Sequence, residues 1–327
     1  MDQIIQNIPV AIIILIIGFV FLIKGADLFV EGSSSVAKRL KIPSVIIGLT
    51  IVAMGTSLPE TAVSVSASIQ GNNTLAISNA IGSNIFNLMV VIGVCAIMTS
   101  IPVEKSTNKR DFPISILSAI ILLILGIISM VLGRIDSIIL LILFCIYIFL
   151  TIQEVINIRK QDKDAILPES VEDAEEIKIL PVGRCVLYIL IGIIGIVLGG
   201  DLVVQSATVI ATEIGISQTL IGLTIVSVGT SLPELVTSIV AAKKKEVGLA
   251  LGNAIGSNIF NILMILGIAG TISPIAVITE NIIDIIILIV FSLIVWAIAM
   301  RKKTIKRGAG IFMVFCYLIY MVYICLR

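Results

Sequence analysis

The chain has 327 residues, of which 58% are hydrophobic and only 13% charged, and its mean hydropathy is +1.18. So little polar surface cannot cover a water-soluble globule of this size, which excludes a soluble domain and predicts an integral membrane protein. Basic and acidic residues balance, 22 against 21, and the net charge of +1 points to no partner.

The first apolar run, Ile8 to Ile23, has no Lys or Arg before it and no small-residue cleavage site after it, so it reads as a spanning helix and not a signal peptide. Runs long enough to cross about 30 Å of hydrocarbon fall near 6–23, 43–69, 74–99, 112–132 and 136–157, then near 182–204, 218–242, 247–272, 282–300 and 309–326. The prediction is an all-α protein of ten transmembrane helices, five in 1–158 and five in 182–327. Between them, 159–181 holds seven acidic residues and Pro168. It reads as a solvated acidic linker, with a regulatory cation-binding loop as the alternative. Cys95, Cys145, Cys185, Cys316 and Cys325 are scattered through apolar runs and never closely paired, so packed free thiols are expected.

The two halves repeat. Gly-Thr-Ser-Leu-Pro-Glu stands at 55–60 and 229–234, and Asn-Ala-Ile-Gly-Ser-Asn-Ile-Phe-Asn at 79–87 and 253–261, both at an offset of 174 residues without a gap. Asp27 with Asp201, and Ile47–Thr50 with Ile221–Thr224, keep the same offset. Grouping alternate loops places the basic residues of 24–41, 105–110, 159–184, 243–245 and 301–307 on one side, which is all of the 22 except Arg134 and Arg327. Lys and Arg stay on the cytoplasmic side, so both termini are expected outside and the linker inside. Five is odd, so the second half enters the membrane from the opposite face. Inverted repeats of this kind build alternating-access transporters, with the substrate site near the midplane at broken helices.

Pro59 and Pro233 lack an amide donor and clash with the carbonyl four residues back, so helices 2 and 7 are expected to break around Gly55-Thr56 and Gly229-Thr230. Freed carbonyls are tolerated at that depth only when buried in protein or lining a cavity. Thr56, Ser57, Thr230 and Ser231 add hydroxyls beside them, and a proline kink patched by Ser and Thr accounts for this much equally well. Glu60 and Glu234 go further. A carboxylate near mid-membrane costs several kcal/mol and is normally paired or on a water-filled path, yet helices 2 and 7 carry no Lys or Arg at that depth. A bound cation or a proton then supplies the compensation. Ser83 with Asn87, and Ser257 with Asn261, lie four residues apart on one face of helices 3 and 8. Helix packing around Gly82 and Gly256 is the alternative role for these four. Two carboxylates, two amides, hydroxyls and carbonyls form an all-oxygen set suited to Ca2+ or Na+. With no His in the chain and no Cys near the motifs, transition metals fit poorly.

Both blocks resemble the alpha repeats of the calcium/cation antiporter superfamily, most closely its prokaryotic sodium/calcium exchanger branch, over essentially the whole chain. The resemblance implies a ten-helix fold with an eight-helix core, two peripheral gating helices (here the first and sixth), and exchange of several Na+ for one Ca2+. Carried over by motif position, Glu60 and Glu234 bridge the calcium and sodium sites, with Thr56 and Thr230 contributing carbonyls. Ser57, Ser83, Ser231 and Ser257 line the flanking sodium sites with the carbonyls of Ala53 and Ser227, and Asn87 and Asn261 sit in the middle. Family members often place Asp at one or both of these last positions. This chain has Asn at both, so stoichiometry and potassium involvement do not carry over.

Asp27 and Asp201 are expected at helix ends, capping a neighbour or forming a vestibule. Trp296, Tyr317, Tyr320 and Tyr323 read as interfacial anchors or packing. Nothing resembles a nucleotide-binding loop or a catalytic triad, so ion gradients and not ATP are expected to drive transport, with no cofactor, no nucleic-acid partner and no enzymatic activity. A single chain is expected to function as a monomer in the cell membrane. Three readings stay open: a Na+/Ca2+ antiporter, which leads, an H+/Ca2+ antiporter using the same glutamates, and a cation channel.

Overall fold

The computed structural model describes residues 8–71, 73–164, 179–215 and 227–326. Among these, eight helices are long and apolar enough to cross a membrane, and a ninth span is a helix pair bent by 48°. The helices are α1 (Ile8–Leu40), α2 (Ser44–Thr56, continued by Leu58–Ile69), α3 (Thr74–Met98), α4 (Thr107–Ser129) and α5 (Arg134–Asp164). They continue as α6 (Val182–Glu213), α7 (Ser227–Thr230 and Leu232–Lys243), α8 (Val247–Ile272), α9 (Thr279–Lys302) and α10 (Arg307–Leu326). The start of the seventh apolar run, with the Ile221–Thr224 copy, and most of the acidic linker lie outside the described residues.

Two helices overrun their predicted ends. α1 continues to Leu40 and α6 to Glu213, so Lys24, Asp27 and Asp201 stand within helices and not in loops or at helix ends. The apolar face does not stop where the charges begin: Gly25, Ala26, Phe29, Val30, Gly32 and Ala37 remain buried, and the polar residues share the other face of the same turns. α5 likewise runs to Asp164, which makes 159–164 helical and shortens the linker.

Glycine decides which helices touch. A Cβ on Gly25 would lie 2.7 Å from the Ile196 nitrogen, and one on Gly199 would lie 2.5 Å from the Leu22 nitrogen. Gly192 abuts Phe29 and Gly32 abuts Tyr188, so numbers fall along α6 as they rise along α1. The pair is antiparallel and packed backbone to backbone. A Cβ on Gly252 of α8 would meet the Val45 carbonyl of α2, and one on Gly310 of α10 would meet the Gly93 carbonyl of α3.

Polar contacts join several of the helix ends and loops. Lys244 Nζ lies 2.7 Å from Asp27 Oδ1 and 3.8 Å from Glu31, and Lys38 lies 3.8 Å from Glu246. Arg39 Nη2 donates to the Leu180 carbonyl at 2.9 Å. Four two-residue strands depart from the all-helical expectation. β1 (Ile101–Pro102) pairs antiparallel with β4 (Thr304–Ile305), and β2 (Val131–Leu132) with β3 (Ile275–Ala276). Thr99 and Ser273 leave their helices in extended backbone, which brings the next residues alongside another loop. Each ribbon buries one isoleucine or leucine pair, Ile101 with Ile305 and Leu132 with Ile275.

Exposed Ile, Leu and Phe cover the outer faces of α1, α5 and α10, as a lipid-facing surface requires. All five cysteines are free. Cys95 and Cys185 are buried as expected, but Cys145 and Cys325 lie on that exposed surface. Trp296 donates from Nε1 to the Asn108 carbonyl at 2.9 Å, and Tyr317 packs edge-on against Phe86.

Candidate functional site

The break in α2 falls at Ser57 (φ −84°, ψ 13°), slightly later than the prolines suggest. Pro59 has no N–H for the Gly55 carbonyl, and the chain restarts as a helix at Leu58 with Pro59 in its first turn, where no amide donor is required. α7 breaks at the equivalent Ser231 (φ −94°, ψ 4°). The two breaks differ in their backbone bonds. The Ala53 carbonyl accepts the Ser57 N–H at 3.1 Å, whereas the Ser231 N–H donates to the Val228 carbonyl at 3.1 Å. A π-helix, Gly48–Val52, lies one α-helical turn ahead of the first break, and π turns equivalent to each other begin at Asn87 in α3 and Asn261 in α8. Such widened turns are frequent at functional sites because they re-aim side chains and backbone oxygens.

The breaks bring the two glutamates to one buried centre. Glu60, Glu234, Thr56, Ser57, Ser83, Ser231, Ser257, Asn87 and Asn261 are all buried, and Thr230 is 8% exposed. Each half's serine serves the other half's acid. Ser57 donates to Glu234 Oε1 at 2.9 Å, and Ser231 donates to Glu60 Oε1 at 3.3 Å. Ser57 also lies 3.1 Å from the Ser257 hydroxyl, and Ser231 lies 3.0 Å from that of Ser83. Ser83 reaches Glu60 Oε1 at 3.4 Å.

Among the described residues, Glu60 Oε2, Glu234 Oε2, Asn87 Oδ1 and Asn261 Oδ1 have no hydrogen-bond partner. Among the described residues, the ion pairs involve neither glutamate, and no cluster of three His, Cys, Asp or Glu forms. A buried carboxylate oxygen without a donor is costly, so the centre is left with acceptors whose natural complement is a cation or a proton. The structure thus gathers both carboxylates with the Ser, Thr and Asn side chains singled out from sequence; nothing is described of the Ser227 side chain.

Four asparagines that sequence reasoning passed over tie the centre together. Thr56 donates to Asn253 Oδ1 at 3.0 Å, and Thr230 lies 3.3 Å from Asn79 Oδ1. Asn253 Nδ2 in turn donates to Ser238 at 3.0 Å and to the Glu234 carbonyl at 3.3 Å, and Asn79 Nδ2 donates to Ser64 at 3.3 Å. Asn84 and Asn258 bond across the halves. The signal was present: all four lie inside the repeated nine-residue block, and Asn79 precedes Ser83 and Asn87 at steps of four residues.

Residues 10–153 and 185–326 match the sodium/calcium exchanger protein family. A putative antiporter, CaxA, of Alkalimonas amylolytica is 42% identical over 81% of this chain and 82% of its own. The sodium/calcium exchanger MaX1 of Methanosarcina acetivorans is 32% identical over 96% of this chain and 98% of its own. Among solved structures, the sodium-calcium exchanger NCX_Mj soaked without Na+ and Ca2+ superposes with a TM-score of 0.82 at 32% identity, covering 98% of this chain and 100% of that one.

Proposed function

The chain belongs to the sodium/calcium exchanger protein family, in the prokaryotic branch of the calcium/cation antiporter superfamily, and from that premise we propose that it exchanges Na+ for Ca2+ by alternating access at the Glu60–Glu234 centre. Na+ and Ca2+ are the cargo of this family and not resident cofactors. The observation that carries the reading is the crossed pair Ser57–Glu234 and Ser231–Glu60, which leaves one oxygen of each buried carboxylate without a partner among the described residues. In this reading Glu60 and Glu234 bridge the calcium and sodium positions, with the carbonyls of Thr56 and Thr230 beside them. Ser57 and Ser257 line one flanking sodium site with the Ala53 carbonyl, and Ser231 and Ser83 line the other with that of Ser227. Asn87 and Asn261 occupy the middle.

The reading includes ten spanning helices, five to each inverted repeat. The antiparallel contact of α1 with α6 supports it, since these are equivalent helices under the offset of 174. The ribbons support it too: β1 and β3 keep that offset, and each pairs with a loop of the other half. The ion pairs of Lys244 with Asp27 and of Lys38 with Glu246 support the grouping of basic loops on one face, taken as cytoplasmic, with both termini outside. A cysteine at Gln70 should then react with an impermeant thiol reagent from outside, and one at its equivalent Lys244 only once the cytoplasmic face is opened. Reaction of both from one side would make the halves parallel copies.

The decisive measurement is uptake of radiolabelled calcium into sodium-loaded proteoliposomes with the proton gradient collapsed. Sodium-dependent uptake is expected. Uptake driven by a pH gradient without sodium would replace this reading with H+/Ca2+ antiport, and unitary currents far above carrier turnover would replace it with a channel.

A further inference from the structure

The bonds at the centre do not all repeat between the halves. Asn84 and Asn258, equivalent and buried, clasp across the halves: Asn84 Nδ2 donates to the Asn258 carbonyl, and Asn258 Nδ2 to the Asn84 carbonyl, each at 3.1 Å. A backbone carbonyl only accepts, so the clasp fixes each amide's orientation and leaves each Oδ1 for another donor. On Asn84 that oxygen accepts Asn261 Nδ2 at 3.0 Å. The equivalent bond, from Asn87 Nδ2 to Asn258 Oδ1, is not made. Asn87 Nδ2 turns to Ser83 in its own helix at 3.4 Å, and Asn258 Oδ1 stays buried without a donor among the described residues. An unmatched buried acceptor costs free energy, and the repeat places its natural donor on the neighbouring helix.

Exposure carries the same asymmetry. Thr56 and Asn253 are fully buried, whereas of their equivalents Thr230 keeps 8% exposure and Asn79 is only half-buried. This conformation is therefore less sealed toward the α2–α3 turn than toward the α7–α8 turn. In a carrier built from inverted repeats, the opposite-facing conformation exchanges the environments of the two halves. A bond made by one half then passes to its equivalent in the other.

We propose that Asn84 and Asn258 are positioning residues that work in alternation. Asn84 Oδ1 holds the Asn261 amide while the site faces the α2–α3 turn, and Asn258 Oδ1 holds the Asn87 amide while it faces the α7–α8 turn. The mutual clasp stays as the pivot. The switch also decides which hydroxyl has lone pairs left for a cation. Here Ser83 Oγ receives N–H groups from both Asn87 and Asn261, at 3.4 and 3.1 Å, in addition to its contact with Ser231. The inference rests on the alternating-access part of the reading above, but not on the identity of the cargo.

Asn84→Leu and Asn258→Leu each remove half of the clasp, a loss common to both, but each removes the additional bond of a different conformation. Hydrogen–deuterium exchange of the purified full chain reads the ratio of protection around the α2–α3 turn to that around the α7–α8 turn. Asn84→Leu should shift this ratio toward opening at the α7–α8 turn by about fivefold, the scale of one buried amide bond. Asn258→Leu should shift it the other way, and the double variant should return near the wild-type ratio. Alanine at the same positions gives the same comparison should leucine not fold. Single variants that move the ratio together, or leave it in place, overturn the switch. Opposite shifts in a chain without sodium-driven calcium uptake would uphold the switch and sink the cargo assignment. Uptake with an unmoved ratio would do the reverse.

Discussion

The α1–α6 pair packs through glycine, whereas the centre formed by α2, α3, α7 and α8 adds a network of side-chain hydrogen bonds to its own close glycine contacts. At the centre, neighbouring helices meet through side-chain hydrogen bonds of about 3 Å between buried oxygens and amides. α1 and α6 meet through Gly18, Gly25, Gly192 and Gly199 and the apolar side chains around them. Hydrogen bonds are directional, so displacing one helix of the centre breaks several at once. Backbone contact over glycine has little directional preference, so a shift along the pair exchanges one set of contacts for a similar one. Under the proposed function, the centre would hold the ions and the pair would carry the change of access.

The largest effect should come from the centre. Glu60→Gln or Glu234→Gln keeps the volume and the serine contact but removes a charge. Loss of a buried charge partner is worth roughly 3–5 kcal/mol, so calcium exchange should fall by more than about 100-fold in either variant while the protein still folds. Near wild-type uptake in both glutamine variants would end the assignment of the centre.

Next comes the pair itself. Gly199→Leu must displace backbone that stands 2.5 Å from its Cβ position, and overpacking of this kind costs about 1–3 kcal/mol. Turnover should drop about tenfold while calcium still raises the melting temperature as in the wild type. If calcium stabilisation disappears with turnover, the pair and the centre do not have separate roles.

A subtler change sharpens the electrostatics. With Glu60 and Glu234 as the formal charges of the site, the centre balances one Ca2+ or two Na+, and a third Na+ leaves net positive charge. Exchange should therefore need no potassium and, at three sodium ions per calcium, an inside-positive potential on sodium-loaded vesicles should speed calcium uptake. Asn261→Asp would set a carboxylate oxygen against Asn84 Oδ1, which now accepts from the amide. That contact is tolerated only with a proton or cation between the two, so uptake by this variant should become pH-dependent and slower by a few-fold to about tenfold. Potassium-dependent exchange in the unaltered chain, or a flat pH profile in the variant, would contradict this charge assignment.

The smallest effect belongs to the rim. Lys244 bridges to Asp27 and Glu31, while its repeat equivalent is Gln70 and that of Asp27 is Asp201, which accepts from Gln205 at 2.7 Å. Lys244→Gln makes this position alike in the two rims. Partly exposed ion pairs contribute about 0–1 kcal/mol, so uptake rates should change by less than about fivefold, and the change should shrink as ionic strength rises. A loss as large as that of the glutamate variants would mean that the rim, and not the centre, limits transport.

The amino-acid sequence by itself determined the membrane class, the duplication, the two breaks and most of the site, because each leaves a mark in residue type or spacing. Proline breaks a helix wherever it falls, an unpaired membrane carboxylate is costly in any fold, and an ungapped offset is visible without coordinates. What only the tertiary structure decided depends on neighbours that sequence order does not bring together. The continuation of α1 through Lys24, Asp27 and Glu31 is settled by the buried face against α6. The pairing of Ile101 with Ile305 joins loops from different halves through strands too short to show a period. Asn84 and Asn258 are ordinary small polar residues until folding sets each amide against the other's backbone carbonyl. An amide's function depends on which donor or acceptor lies within about 3 Å of it, and that distance is a property of packing and not of the chain's order.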